Sequence, residues 1–284
     1  MSEISKIIKL SEMKKEDADY CEECFAKIKA DPDQFDDLKI CEKQYMAGHN
    51  PSEAAKRLTA KSGLHRYTVD LMIALYCAIR VSKLYEVHGY DQEIFTKTIA
   101  LTLGESVVNC KRVYGIVGTF VFFAYKRHFL CERFALGRLH FEAVPLPFDY
   151  KDICKKGDMA LSCHIPASGP LLIEDVEEAF KLAYEFYGIK GPLVIVCSSW
   201  LLYPPHHDAV FPADSNIRKF YDLFDIVTQR EASFAEAGWR VFGTTDLDFD
   251  KFEQKTRMQK NLYKYLKDGN KMGSGYGILI RNYE

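Results

Sequence analysis

Along the first 130 or so positions the apolar residues recur every three or four places; after Cys131 the pattern shifts toward alternation. The helical spacing predicts helices over 15–30, from Asn50-Pro51-Ser52-Glu53 onward, and over 67–88, 92–102 and 114–131. In the 67–88 segment Val69, Met72, Ile73, Tyr76 and Cys77 repeat on one face, and Gly89 supplies a stop. Asn50 reads as a cap, Pro51 as the first helical residue and Glu53 as a capping-box acid. The most apolar run, 115–125, falls short of the roughly 18 to 20 residues of a membrane span and reads as a core helix.

Beyond Cys131, alternation and aromatic content predict a strand over 134–142, followed by a loop at Pro145 and Pro147. Strands over 159–165, 193–197, 239–242 and 276–280 then interleave with helices over 173–187, 215–224 and 252–267. The fold class is α+β: an all-helical N-terminal domain, 1–130, and a mixed-sheet domain with flanking helices, 131–284.

Composition narrows the function. A chain of 284 residues with 48% hydrophobic content can bury one large core or two modest ones. A net charge of −2, from 38 Lys+Arg and 40 Asp+Glu, speaks against nucleic acid, which demands a basic excess. Nine irregularly spaced cysteines and an N-terminus without a signal-peptide layout predict reduced thiols in a cytoplasmic protein, with no membrane partner.

The segment 159–187 carries the most chemistry. A strand ends at His164-Ile165-Pro166, a short loop holds Gly169 and Pro170, and a helix follows with Val176, Phe180, Ala183, Tyr184 and Tyr187 on one stripe. Backbone N–H groups and the positive end of a helix dipole meet there and suit a phosphate, although Glu174, Asp175, Glu177 and Glu178 crowd the first turns. Ala167, Ser168, Gly169, Leu171 and Leu172 each offer an N–H. An ordinary strand–turn–helix connection is the competing reading.

The residues His164, Pro166, Gly169, Pro170 and Leu171, then Cys197-Ser198-Ser199-Trp200 with Leu202 and Pro204, then Ser215-Asn216-Ile217, then Leu266, Gly269 and Gly273, Gly275 and Gly277, recur in one order. In this order the chain resembles bacterial acyltransferase-like proteins with a helical N-terminal domain and a GNAT-like C-terminal domain. The resemblance implies an N-acyltransferase that moves an acetyl or other acyl group from acyl-CoA to a small-molecule or peptide amine by direct transfer, with no metal. It implies that the main chain near Ile165 pairs with pantetheine and that the 167–172 loop receives the CoA pyrophosphate. The strand over 193–197 would form the other side of a V. The family's loop, Gln/Arg-x-x-Gly-x-Gly/Ala, matches here only at Gly169; Pro166 and Leu171 depart from it. That departure keeps open an alternative, a catalytically inactive GNAT-like protein that binds a ligand or a partner. An oligomer is compatible with either.

Transfer to an amine needs a base, donors for the developing oxyanion and an acid for the thiolate. Glu142 is the first candidate base, and alternation places His140 on its face. His164, beside the expected pantetheine strand, is a further base candidate or a structural histidine. The resemblance makes Tyr221 the candidate acid, against a plain core role. Cys197 or Ser198 with His164 gives a covalent route, although free cysteine is usually buried and no nucleophile elbow surrounds Ser198. Cys21 and Cys24 form only half a metal site, and His206-His207 lacks an acidic partner beyond Asp208. Gly273, Gly275 and Gly277 read as a tight turn, and Lys260, Lys264, Lys267 and Lys271 as a solvated face or a 3′-phosphate attractor.

Overall fold

The helical spacing of the N-terminal residues becomes α1 (Glu3–Leu10), α2 (Lys15–Ala30), α3 (Pro32–Met46), α4 (Ser52–Ser62) and α5 (Arg66–His88). Then come α6 (Gln92–Phe95), a π turn at Thr96–Ala100, α7 (Leu101–Tyr114) and the short α8 (Lys126–Phe129). The structure, a computed structural model, describes every residue except Ser168 and Glu284. The chain divides into two compact units, Met1–Ala135 and Leu136–Glu284.

Helix α5 centres the first unit, with Val69, Leu71, Met72, Ile73, Leu75, Cys77, Val81 and Tyr85 all buried. Burial around so much of a helix removes its amphipathic contrast, because neighbours cover it on several sides. Gly89 ends it in the left-handed conformation, φ 70°. Cys21 and Cys24 are buried on α2; burial pushes the Cys21 thiol up to about 12.

The helix expected over 114–131 does not form. Gly115 closes α7 at φ 71°, and the chain then runs irregularly to a 3-10 turn at Phe122–Tyr125. The start of α5 holds that stretch: Thr119 N–H donates to the Tyr67 carbonyl (3.0 Å), and the Thr68 hydroxyl donates to the Val117 carbonyl (2.8 Å). A Cβ at Gly118 would lie 2.5 Å from the Tyr67 backbone, so the close approach requires glycine. The segment's apolar content serves tertiary packing rather than helical periodicity.

The sheet starts with β1 (Arg133–Leu136), which straddles the division after Ala135, and continues in the second unit with β2 (Leu139–Pro145), β3 (Met159–His164), β4 (Leu193–Ser199), β5 (Asp225–Glu231) and β6 (Gly273–Arg281). The strand order is β1-β2-β3-β4-β6-β5. The β2–β3, β4–β6 and β5–β6 pairs are antiparallel and β3–β4 is parallel. The parallel pair is joined by the crossover helix α9 (Ile173–Phe186), as parallel neighbours require. Helices α10 (Pro204–Ala209), α11 (Asn216–Tyr221), α12 (Phe234–Phe242) and α13 (Arg257–Lys267) complete it.

Three expectations change here. The 134–142 segment is a hairpin, turned at Gly137 (φ 62°) and Arg138, rather than one strand. The stretch 239–242 lies in α12, because Ser233 precedes a helical turn and Gly243 (φ 71°) ends it; the Phe234, Phe242 and Phe252 rings stack beside it. Gly273, Gly275 and Gly277 form strand, not a turn. A Cβ at Gly275 would lie 1.8 Å from the Leu202 carbonyl oxygen, so alternate glycines let the 3-10 turn Trp200–Leu202 rest directly on β6.

Alternation divides the sheet's faces. Phe141 faces Phe180 of α9, with ring centroids 6.2 Å apart. On the opposite face Ala160, Val196 and Ile278 pack with Leu146 and Cys154 of the β2–β3 connection. That connection is tied down by Lys151, whose ammonium lies 2.7 Å from the Asp225 carboxylate, and by the hydroxyl of Tyr150 on the same carboxylate. The 146–158 connection therefore covers the end of this face where β3 begins, while the other end carries the polar residues described next.

Candidate active site

The polar end of the face is assembled by register. His140 stands opposite His164, and Glu142 opposite Ser162, across the β2–β3 ladder. Residues directly opposite share a face, as do alternate residues along each strand, so all four side chains emerge together. The expected sharing of a face by His140 and Glu142 is what the register gives.

The close pair within this group is Glu142 and His164. Glu142 Oε1 lies 2.9 Å from His164 Nε2, and the Ser162 hydroxyl oxygen lies 3.4 Å from the same nitrogen. Glu142 has a side chain only 7% exposed, whereas that of His164 is 36% exposed. The carboxylate sits inside and the imidazole reaches outward. With Nε2–H donated to Glu142, the ring's lone pair belongs to Nδ1, so the carboxylate selects the tautomer. His140 is buried beside them at 8% exposure.

Next to this group the β3–β4 ladder ends. Strands β3 and β4 pair at Leu161–Ile195 and Ser162–Val196. Beyond those residues β3 stays on β2 through Cys163 and His164, while β4 stays on β6 through Cys197, Ser198 and Ser199. His164 is thus the last residue of β3, past the end of its pairing with β4.

The other candidates fall elsewhere. Ile165 and Pro166 are half-buried at the exit of β3, Ala167, Gly169 and Leu172 are exposed and Leu171 is buried. Ser168 lies outside the described residues. Gly169 adopts φ 67°, and Leu172 stands at the N-cap of α9 with no side-chain capping bond. Of the acids on the first turns, Glu177 is paired with Arg281 at 2.7 Å. Tyr221 is brought to His207, with ring centroids 4.5 Å apart; burial pushes its phenol up, and Asp222 and Asp208 reinforce the shift.

Cys197 follows Val196 in β4, so its side chain takes the face opposite His164. There it is buried against Cys163, whose thiol is pushed well above its ordinary value by the hydrogen bond with Cys197 and by burial. The Cys197–His164 dyad is therefore not assembled. Lys271 pairs with Glu231 at 2.6 Å, and Lys267 lies over the Phe249 and Tyr263 rings. Among the described residues no group of three or more His, Cys, Asp or Glu gathers to hold a metal ion.

Sequence reasoning found the members of the Glu142–His164 pair but not the pair itself, which joins residues of two strands 22 positions apart. It also missed Arg138, a lone residue in a two-residue turn. Its guanidinium donates from Nε to the Pro170 carbonyl at 2.8 Å and from Nη2 to the Gly169 carbonyl at 3.1 Å. Both terminal nitrogens also lie 3.2 Å from the Pro166 carbonyl.

Comparison with known proteins agrees with this architecture. Residues 2–131 match the family model of the N-acyltransferase N-terminal domain, and residues 134–279 match that of the GNAT-like C-terminal domain. A solved acyltransferase in complex with decanoyl-CoA and teicoplanin is similar over 97% of this chain and 86% of that one, at 20% identity and a TM-score of 0.71. An acyltransferase in complex with CoA and 10C-teicoplanin is similar over 96% and 86%, at 20% identity and a TM-score of 0.72. The comparison with curated protein sequences returns no match. The helical unit, the six-stranded mixed sheet and the two family matches lead to one conclusion: the chain belongs to the acyltransferase family that joins an N-acyltransferase N-terminal domain to a GNAT-like C-terminal domain.

Proposed function

We propose that the protein is an acyl-CoA-dependent N-acyltransferase that moves an acetyl or longer acyl group to an amine by direct transfer. The observation that carries this reading is the end of the β3–β4 ladder at Ser162–Val196 beside the Glu142–His164 pair. A pantetheine arm lying along the open edge of β3 takes main-chain hydrogen bonds that β4 no longer uses, and its thioester then lies near His164. The pyrophosphate falls at the 165–172 loop and the N-terminus of α9, where backbone N–H groups favour an anion.

In the reaction the amine nitrogen attacks the thioester carbonyl carbon, and His164 Nδ1 takes the proton it releases. The tetrahedral oxyanion collapses, the C–S bond breaks and CoA leaves as a thiolate. The imidazolium returns its proton to that sulfur, so one amide and one thiol form for each thioester and amine consumed. Glu142 keeps the imidazole in the right tautomer and steadies its positive charge. This assignment puts His164 in contact with substrate and Glu142 behind it, because Glu142 is the more buried of the two. Tyr221 is not needed to complete the proton balance.

The similar structures contain decanoyl-CoA, octanoyl-CoA and teicoplanin, which makes medium-chain donors and glycopeptide amines the first members of a substrate panel. Donor binding is tested by thermal unfolding with acetyl-, octanoyl- and decanoyl-CoA. A donor that binds only the native state raises Tm in proportion to the logarithm of its concentration. No shift with any donor at millimolar concentration rejects the reading. The alternative, an inactive ligand-binding relative, draws on the departures at Pro166 and Leu171. A donor-dependent shift without thiol release over the amine panel would favour it.

A further inference from the structure

The 165–172 loop departs from its family's motif at two of three positions, yet it is held by a residue that motif does not contain. Arg138 sits at the β1–β2 turn, where Gly137 lets the hairpin lie against α9: a Cβ there would be 3.2 Å from Ala179. From this platform one planar guanidinium meets three carbonyl oxygens of the loop, those of Pro166, Gly169 and Pro170, at 2.8–3.2 Å. Lysine, with a single nitrogen, does not span three fixed acceptors in this way.

Peptide planarity gives the contacts a consequence on the loop's far side. In a trans peptide the C=O and the following N–H point in opposite directions. Fixing the Pro166 carbonyl toward Arg138 turns the Ala167 N–H away from it, and fixing the Pro170 carbonyl does the same for the Leu171 N–H. Both amide donors thus point away from the guanidinium and stay unspent on it, before the first turn of α9. The same arginine brings a permanent positive charge to a loop that has no Gln or Arg at its own first position, where Pro166 stands.

We infer that Arg138 is the positioning residue of the CoA pyrophosphate site, fixing the Pro166 and Pro170 carbonyls so that the Ala167 and Leu171 N–H groups are left for the anion. The inference rests on the proposed acyl-CoA reading and adds to it the residue on which affinity for the nucleotide half of the donor depends.

The test compares two donors on the full chain by calorimetry: octanoyl-CoA, and octanoyl-pantetheine, which lacks the pyrophosphate and nucleotide. In Arg138→Met, octanoyl-CoA binding should weaken by about 10- to 100-fold while octanoyl-pantetheine binding stays unchanged. Arg138→Lys keeps the charge but not the fork and should fall between wild type and Arg138→Met. With octanoyl-CoA bound, protection of the Ala167 and Leu171 amides from hydrogen exchange should fall in both variants. Should Arg138→Met not fold, the Arg138→Lys comparison and its exchange rates decide the matter. Equal weakening of both donors, or of neither, overturns the role of Arg138. Failure of the wild-type chain to bind octanoyl-CoA at all overturns the acyl-CoA reading itself, and this inference with it.

Discussion

Two histidines of the same unit show how environment decides what an imidazole can do. His164 is partly exposed at the end of β3, with a carboxylate 2.9 Å from Nε2. His206 is fully buried on α10 among the rings of Trp200, Tyr203, Phe211 and Tyr265, with Nδ1 3.1 Å from the Trp200 carbonyl oxygen. Burial pushes His206 down to about 4, only partly opposed by that carbonyl. A ring with no anion nearby and no water contact holds its neutral form and serves as packing. A ring with a buried carboxylate behind it and solvent in front is equipped to take up a proton and give it back. The same side chain is scaffold in one place and a candidate base in the other.

The comparison is most exposed to replacement of His164. His164→Asn should lower turnover about a thousandfold with little change in Tm, since the side chain is half in solvent. Steady-state thiol release together with a melting curve checks both parts.

For His206 the effect is on stability and depends on pH. Above about 6.5 both folded and unfolded chains carry a neutral imidazole, and its contribution is constant. As the pH falls from 6.5 toward 4 the unfolded chain takes up a proton that the folded chain refuses, so stability drops with falling pH. The total loss from this group is about 3 kcal/mol, complete below its folded value. Urea unfolding of wild type and His206→Phe between pH 7 and 4 should show the wild type losing that much more; parallel curves would contradict the assignment.

Gly275→Ala acts on the same side of the comparison. Its Cβ would collide with the Leu202 carbonyl, displacing the turn that carries the Trp200 carbonyl to His206. The expected cost is about 2 to 3 kcal/mol, read as a fall in the urea midpoint. The smallest effect is expected at Glu142. Glu142→Gln should lower kcat by about 10-fold without weakening donor binding, and Glu142→Asp should recover part of it. Loss of donor affinity instead would mark Glu142 as a structural residue of the site.

Local pattern made some of this legible and left other parts hidden. The alternation of His140 and Glu142 on β2, and the strand that carries His164, could be read from the chain because a half-buried strand has a period of two. The Glu142–His164 pairing could not, because register between strands is a tertiary property. Trp239–Phe242 read as strand since four residues, three of them apolar around Arg240, are too few to carry a period; the stacking of Phe234, Phe242 and Phe252 makes it helix. The apolar 115–125 segment read as helix because nothing local announces that Tyr67 and Thr68 bind its backbone. Arg138 was silent for a related reason, since its acceptors lie 28 to 32 residues further along the chain.

The central claim is that His164, held by Glu142, removes the amine proton. Its most direct test is thiol release from octanoyl-CoA over the amine panel by wild type and His164→Asn, with donor affinity measured on the same samples. The account predicts turnover reduced at least about a hundredfold with donor affinity within about twofold of wild type. Turnover by His164→Asn within about twofold of wild type would contradict it.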